Sequence, residues 1–168
     1  MLISASWYPQ AVPRDIGEIG LSVKRLQMRH HRTANERLAP LGISIVQWDA
    51  LRHLHENPGA SLHDLAQLTF QTDQSFGTLA TRMIDRGLIE RVPGPGRAVR
   101  HRLTDKGQDL REKAGEIVRR VLTESFAALT DKELQTFGDL LARAVFGDRS
   151  PAAETSGQQG ARVRHVRR

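Results

Sequence analysis

Apolar residues recur every three to four positions along most of this 168-residue chain, and every second position in one short stretch. The first spacing lines one side of a helix, and the second sends side chains to alternate faces of a strand. Ile16, Ile19, Val23 and Leu26 stand at offsets of three, seven and ten, and the stripe reaches His30. Asp15 with Glu18 three residues later marks a capped start, and Pro40 and Gly42 a stop, so a long first helix is predicted to about Leu38. Ile43, Val46, Ala50, Leu51 and Leu54 predict a second helix from Ser44 that ends at Asn57-Pro58-Gly59. Ser61 and Asp64 form a capping box for a third, Ser61–Leu68, packing Leu62, Leu65 and Leu68. A polar turn, Thr69–Thr72, leads into a fourth, Asp73–Arg86, with Phe76, Leu79, Ala80 and Met83 inward.

The period changes after Gly87. Gly87-Leu88-Ile89-Glu90-Arg91 reads as a strand, Val92-Pro93-Gly94-Pro95-Gly96-Arg97 as a turning tip, and Val99–Leu103 as the returning strand. Thr104-Asp105-Lys106-Gly107 opens a fifth helix striped by Leu110, Ala114, Ile117, Val121 and Leu122. Thr130 and Glu133 cap a sixth, with Leu134, Phe137, Leu141, Ala144 and Val145 inward. The predicted fold is mainly α, about six helices with a two-stranded β-wing, a winged helix-turn-helix. A helix to enter a groove with a basic hairpin beside it suits docking on double-stranded DNA. The terminal helices are more apolar on one face than a small core needs, so dimerisation through the N- and C-terminal helices is expected.

Composition adds a basic balance: net charge is +6, sequence pI about 10.7, and Arg greatly outnumbers Lys. Arg suits phosphates and guanine edges, which makes nucleic acid the first partner to consider. Hydrophobic content of 39% and a mean hydropathy of −0.44 fit a chain completed by a second copy, or one with a disordered tail. With no cysteine, disulfides, thiol catalysis and Cys-type zinc sites are excluded. The start of the chain is too short and too lightly charged for a secretory signal, and no run has the length of a membrane span. A cytoplasmic protein is expected. The organisation reads as an extension over 1–14, a body over 15–146 whose DNA-reading part is about 44–103, and a disordered basic tail over 147–168. That tail holds five Arg against Asp148 and Glu154, half of the net charge.

Candidate chemistry follows from position. Gln74, Ser75 and Thr78 share the polar face of the fourth helix, where short polar groups and Gln can read base edges. Thr72 caps that helix, and an amide at its start can hold a phosphate; Asp73 belongs to the helix dipole. Arg82 either pairs with Asp49 or Asp85 or reaches the phosphate backbone. Arg97 at the hairpin tip is the minor-groove candidate, and Arg100 and Arg102 share one strand face toward phosphate. His30, on the first stripe, could bind an anion, report pH or sit hydrogen-bonded. His53 and His55 point to different sides of a helix, no His-x-x-x-His pattern occurs, and neither a metal nor another cofactor is expected.

Gln47-Trp48-x-x-Leu51, Pro58-Gly59-x-Ser61-x-x-Asp64-Leu65-Ala66, Gly87-Leu88-Ile89-x-Arg91, Leu103-Thr104-x-x-Gly107 and Leu129-Thr130-x-x-Glu133-Leu134 together resemble the MarR family of bacterial regulators. The match spans roughly residues 15–146. The resemblance implies a homodimer on a pseudo-palindromic operator, usually a repressor, released by a small anionic, often phenolic, ligand. It also implies an arginine in the minor groove; Arg97 holds that position, but Pro95 replaces the Asp that usually precedes it by two. A urate-responsive branch has an N-terminal Trp, an Asp in the second helix and an Arg in the reading helix, roles that Trp7, Asp49 and Arg82 could fill. The alternative is an architectural DNA binder without a ligand, driven by the basic tail. No nucleophile–base set or phosphate-cradling loop marks an enzyme.

Overall fold

Helix starts are set by local cap chemistry. In the computed structural model, which describes residues 15–94, 96 and 99–147, five side chains each accept the backbone N–H three residues on: Asp15, Ser44, Ser61, Thr72 and Thr130. They open α1 (Ile16–Leu38), α2 (Ile45–Glu56), α3 (Leu62–Leu68), α4 (Asp73–Asp85) and α6 (Asp131–Phe146); α5 (Asp105–Ser125) follows the hairpin. Gln47, Asp64 and Glu133 each return a bond to the cap residue's own amide, completing three capping boxes. The 1–14 extension with Trp7, hairpin residues Pro95 and Arg97, and the tail from residue 148 lie outside the described residues.

The chain divides into two units, Met1–Glu124 and Ser125–Arg168. In the first, Leu38, Leu51, Leu65, Met83 and Leu88 are fully buried, joining α1, α2, α3, α4 and the start of the hairpin in one core. Ala114 and Val118 of α5 complete it. Strands β1 (Ile89–Pro93) and β2 (Val99–Leu103) pair antiparallel, with Ile89 opposite Leu103 and Pro93 opposite Val99. The first strand therefore runs two residues further than the sequence suggests. Pro93 is tolerated because it ends the ladder, where its missing N–H leaves no interior bond unmade.

The hairpin is locked where it meets α5. Thr104 donates its hydroxyl to the carbonyls of Gly87 and Leu88, at 2.7 and 3.2 Å, and accepts from the amide of Gly107. A Cβ on Gly107 would stand 1.9 Å from the Leu88 carbonyl oxygen, so only glycine allows this approach. The Leu-Thr-x-x-Gly spacing is thus a clasp between the α4–β1 turn and the first turn of α5.

Several apolar positions differ from the periodicity, Leu122 of the α5 stripe among them at 39% exposed. Val46 and Leu68, expected inside, are 36% and 37% exposed, while the small Ala66 fills the interior instead. The largest departure is in the second unit: no described residue of α6 is buried, and Leu134 and Val145 are 41% and 68% exposed. Phe137 packs against the ring of Phe126, at 5.8 Å between ring centroids. On α1, Ile16, Ile19 and Val23 are likewise exposed.

Candidate nucleic-acid interface

The α4 helix presents its first turn and one whole face to solvent, while Phe76, Ala80 and Met83 anchor the other. Its cap is a closed pair: Thr72 accepts from the Ser75 amide at 3.2 Å and donates its hydroxyl to Ser75 Oγ at 2.9 Å. Thr78 donates to the Gln74 carbonyl at 3.0 Å, leaving its methyl and lone pairs outward. Gln74 is exposed, and its amide has no hydrogen-bond partner among the described residues. Of the three expected readers, Gln74 alone has all its donors and acceptors open, while Ser75 and Thr78 have theirs partly used.

Asp73, the first residue of α4, would repel a phosphate. His63 of α3 stands against it, Nδ1 lying 3.0 and 3.1 Å from the two carboxylate oxygens, with Gln67 bonded to the other ring nitrogen at 2.9 Å. This cross-helix contact ties α3 to the head of α4. Sequence reasoning passed over His63, because ten residues separate it from its partner and neither marks a motif.

On the wing, the expected face of Arg100 and Arg102 does form, but the two differ. Arg102 donates Nε to Glu90 across the strands at 2.6 Å, so its charge is already matched. Arg100 is half-buried beside a cavity of about 580 Å³ between the end of α2, the hairpin and the start of α5. Leu54, Val92 and Leu103 give this cavity apolar walls, and His55 and Arg100 put positive or polar groups on its rim. His101 also lines it, 5% exposed, its Nδ1 without a hydrogen-bond partner. Burial, and then the charge of Arg91, pull the His101 pKa below its usual value and keep it neutral. Arg91 itself is exposed on β1 and forms no ion pair among the described residues, a hairpin cation that the strand pattern did not single out.

The pairing of Asp49 with Arg82, one of the alternatives that the sequence left open, is not formed. Asp49 accepts from Arg52 at 2.8 Å and lies 3.7 Å from His53, both one turn along its own helix. Arg52 further binds Glu56 at 2.8 Å and stacks its guanidinium 5.8 Å from the Trp48 ring centroid. Helical spacing brings Arg52 to Asp49 without any tertiary requirement, and that proximity wins. Arg82 is exposed and pairs with neither Asp49 nor Asp85, so the alternative of reaching a phosphate stays open to it. Trp48 is a strut, donating its indole N–H to the Arg111 carbonyl at 3.2 Å. His30 is half-buried, and desolvation first, then Arg29, lowers its pKa. Among the described residues no cluster of three or more His, Asp and Glu could hold a metal ion. Nor is any described helix long and apolar enough to cross a membrane.

Comparison with known proteins places these features. Residues 41–98, from before α2 to the hairpin tip, match the model of the MarR family. A helix-turn-helix transcriptional repressor of Mycobacterium tuberculosis, Rv2887, is 30% identical over 108 residues, covering 63% of this chain and 78% of that protein. Its solved structure with salicylic acid superposes with a TM-score of 0.64 at 25% identity, covering 79% of this chain and 97% of that one. The same protein in complex with DNA also gives 0.64 at 25% identity, over 80% of this chain and 98% of that one.

Proposed function

The chain belongs to the MarR family of transcriptional regulators, and from that premise we propose that it represses transcription as a homodimer bound to a pseudo-palindromic operator. The observation that carries the reading is α4: a capped helix whose exposed first turns offer the open amide of Gln74, followed directly by an arginine-bearing hairpin. Two such helices related by a two-fold axis enter successive major grooves about 34 Å apart, on half-sites roughly 10 bp centre to centre. Phosphates take Arg82, Arg91 and Arg100; Thr72 holds the helix start in place; Ser75 and Thr78 add to the sequence preference of Gln74. Arg102 contributes only as far as Glu90 releases it. Arg97, known here from the sequence alone, is assigned to the minor groove.

A small organic anion relieves repression. This part is supported by the cavity beneath the hairpin, where apolar walls meet the Arg100 guanidinium with Asp105 also in the lining, and by the salicylic acid bound to Rv2887. The anion shifts the balance between DNA-competent and incompetent positions of the reading heads only by as much as it prefers one of them.

Gln74→Ala tests the carrying observation. Discrimination between operator and base-changed DNA should fall by about 1–3 kcal/mol, the worth of a bidentate base contact. Affinity for scrambled DNA and thermal stability should not change. A variant that discriminates as well as the parent would remove Gln74 from base reading.

A further inference from the structure

The turn between α3 and α4 contains a residue that the fold does not call for. After α3, the amide of Phe70 donates to the Gln67 carbonyl at 3.1 Å and the amide of Gln71 to the Ala66 carbonyl at 2.8 Å. These two bonds define a Schellman ending, which needs a left-handed residue just past the helix. Phe70 takes that conformation, with φ +54°, as the one non-glycine residue of positive φ among those described. The same ending recurs after α4: Gly87 donates to Ile84 at 2.7 Å, Leu88 to Met83 at 2.9 Å, and Gly87 has φ +67°. Where only the turn is at stake, glycine fills it.

Phenylalanine is a poor choice for such a position, since its Cβ meets the following carbonyl. Nor does packing repay the strain, because Phe70 is 97% exposed. The polar side chains around it are turned back onto the chain. Thr69 donates to the Leu65 carbonyl at 2.7 Å, Gln71 to the Thr69 hydroxyl at 3.1 Å, and Thr72 to Ser75 at 2.9 Å. From this turn a bare aromatic ring stands out, two residues before the cap of the reading helix.

We infer that Phe70 is a specificity-determining residue that reads a thymine 5-methyl group at the edge of the major groove. The inference rests on the DNA reading above: if α4 enters the groove by its N-terminus, the residue two before its cap travels with it to the groove's lip. The apolar features that duplex DNA exposes to the major groove are the thymine methyls, and an aromatic ring is a suitable partner for them. Polar neighbours occupied with one another cannot compete for the contact.

The test is a double-mutant cycle on the operator, found by footprinting the DNA upstream of the chain's own gene. Phe70→Gly is compared with the parent protein on operator duplexes in which each thymine in turn is replaced by deoxyuridine, which lacks only the methyl. Because glycine relieves the left-handed position, the variant's melting temperature should hold or rise, so that lost binding is not lost folding. The expected result is an affinity several-fold to tenfold weaker for Phe70→Gly. One deoxyuridine position per half-site should cost the parent a similar factor and the variant nothing. Unchanged operator affinity in Phe70→Gly would overturn the inference. So would a loss that couples to no thymine, which points to a contact with the sugar–phosphate backbone instead. If the parent itself shows no operator preference, the failure belongs to the repressor reading and appears before any variant is made.

Discussion

At the scale of single residues, the costs carried by this chain are as informative as its bonds. His101 sits buried with an unsatisfied ring nitrogen, and burial followed by the Arg91 charge depresses its pKa. The unfolded chain titrates near the ordinary value of about 6.5. Below that pH it takes up a proton that the folded state refuses, so stability is full above it and is lost as pH falls. The melting temperature should therefore drop between pH 8 and pH 5, and His101→Leu should flatten that drop without loss of stability at pH 8. His30, lowered in the same direction, leaves a residual slope. An unaltered slope in the variant would mean that His101 is not neutral in the fold. Single-residue chemistry was only partly legible in the sequence. Gln74, Ser75 and Thr78 could be placed on an exposed face because helical period alone decides it. The pairing of Arg102 with Glu90 depends on strand register, and that of His63 with Asp73 on how two helices cross, which one chain's spacing does not encode.

Elements were more legible than residues, because helix starts are written in four consecutive positions. Ser61 with Asp64 and Thr130 with Glu133 read directly as caps, and the structure closes both boxes. The αL turn at Phe70 carried no such signal, since sequence reasoning expects glycine there. The hairpin was recognisable by its change of period, but its length was not, because Val92 and Pro93 look like turn residues until β2 pairs with them. What holds the hairpin to the body is the Thr104–Gly107 clasp. Gly107→Ala forces a methyl toward the Leu88 carbonyl and should cost about 1–3 kcal/mol. Chemical denaturation would register this as a lower midpoint at an unchanged slope. An unshifted midpoint would show that α5 can move away freely, and would remove the clasp from the account. Affinity for DNA should fall with it, as the hairpin loses its fixed seat.

For the whole molecule, the exposed apolar stripes on α1 and α6 are the strongest argument for a second copy. Leu134 is 41% exposed and Val145 68%, on a helix with no buried residue among those described. Side chains of this size contribute about 1.5–3 kcal/mol each when removed from water, and the two-fold partner proposed above would supply that cover. Leu134→Asp with Val145→Asp should convert the dimer to monomer in analytical ultracentrifugation and weaken operator binding far more than it lowers helicity. A double variant that sediments as a dimer would place the interface elsewhere. The central claim is that this dimer selects an operator, and a fluorescence-anisotropy titration tests it most directly. The protein would be titrated, at one fixed salt concentration, into DNA from upstream of its own gene and into a scrambled duplex of equal length. The account predicts binding to the upstream DNA about a thousandfold tighter or more, as for sequence-specific regulators. Equal binding to both duplexes would contradict it, and would leave a basic protein that holds DNA by charge alone.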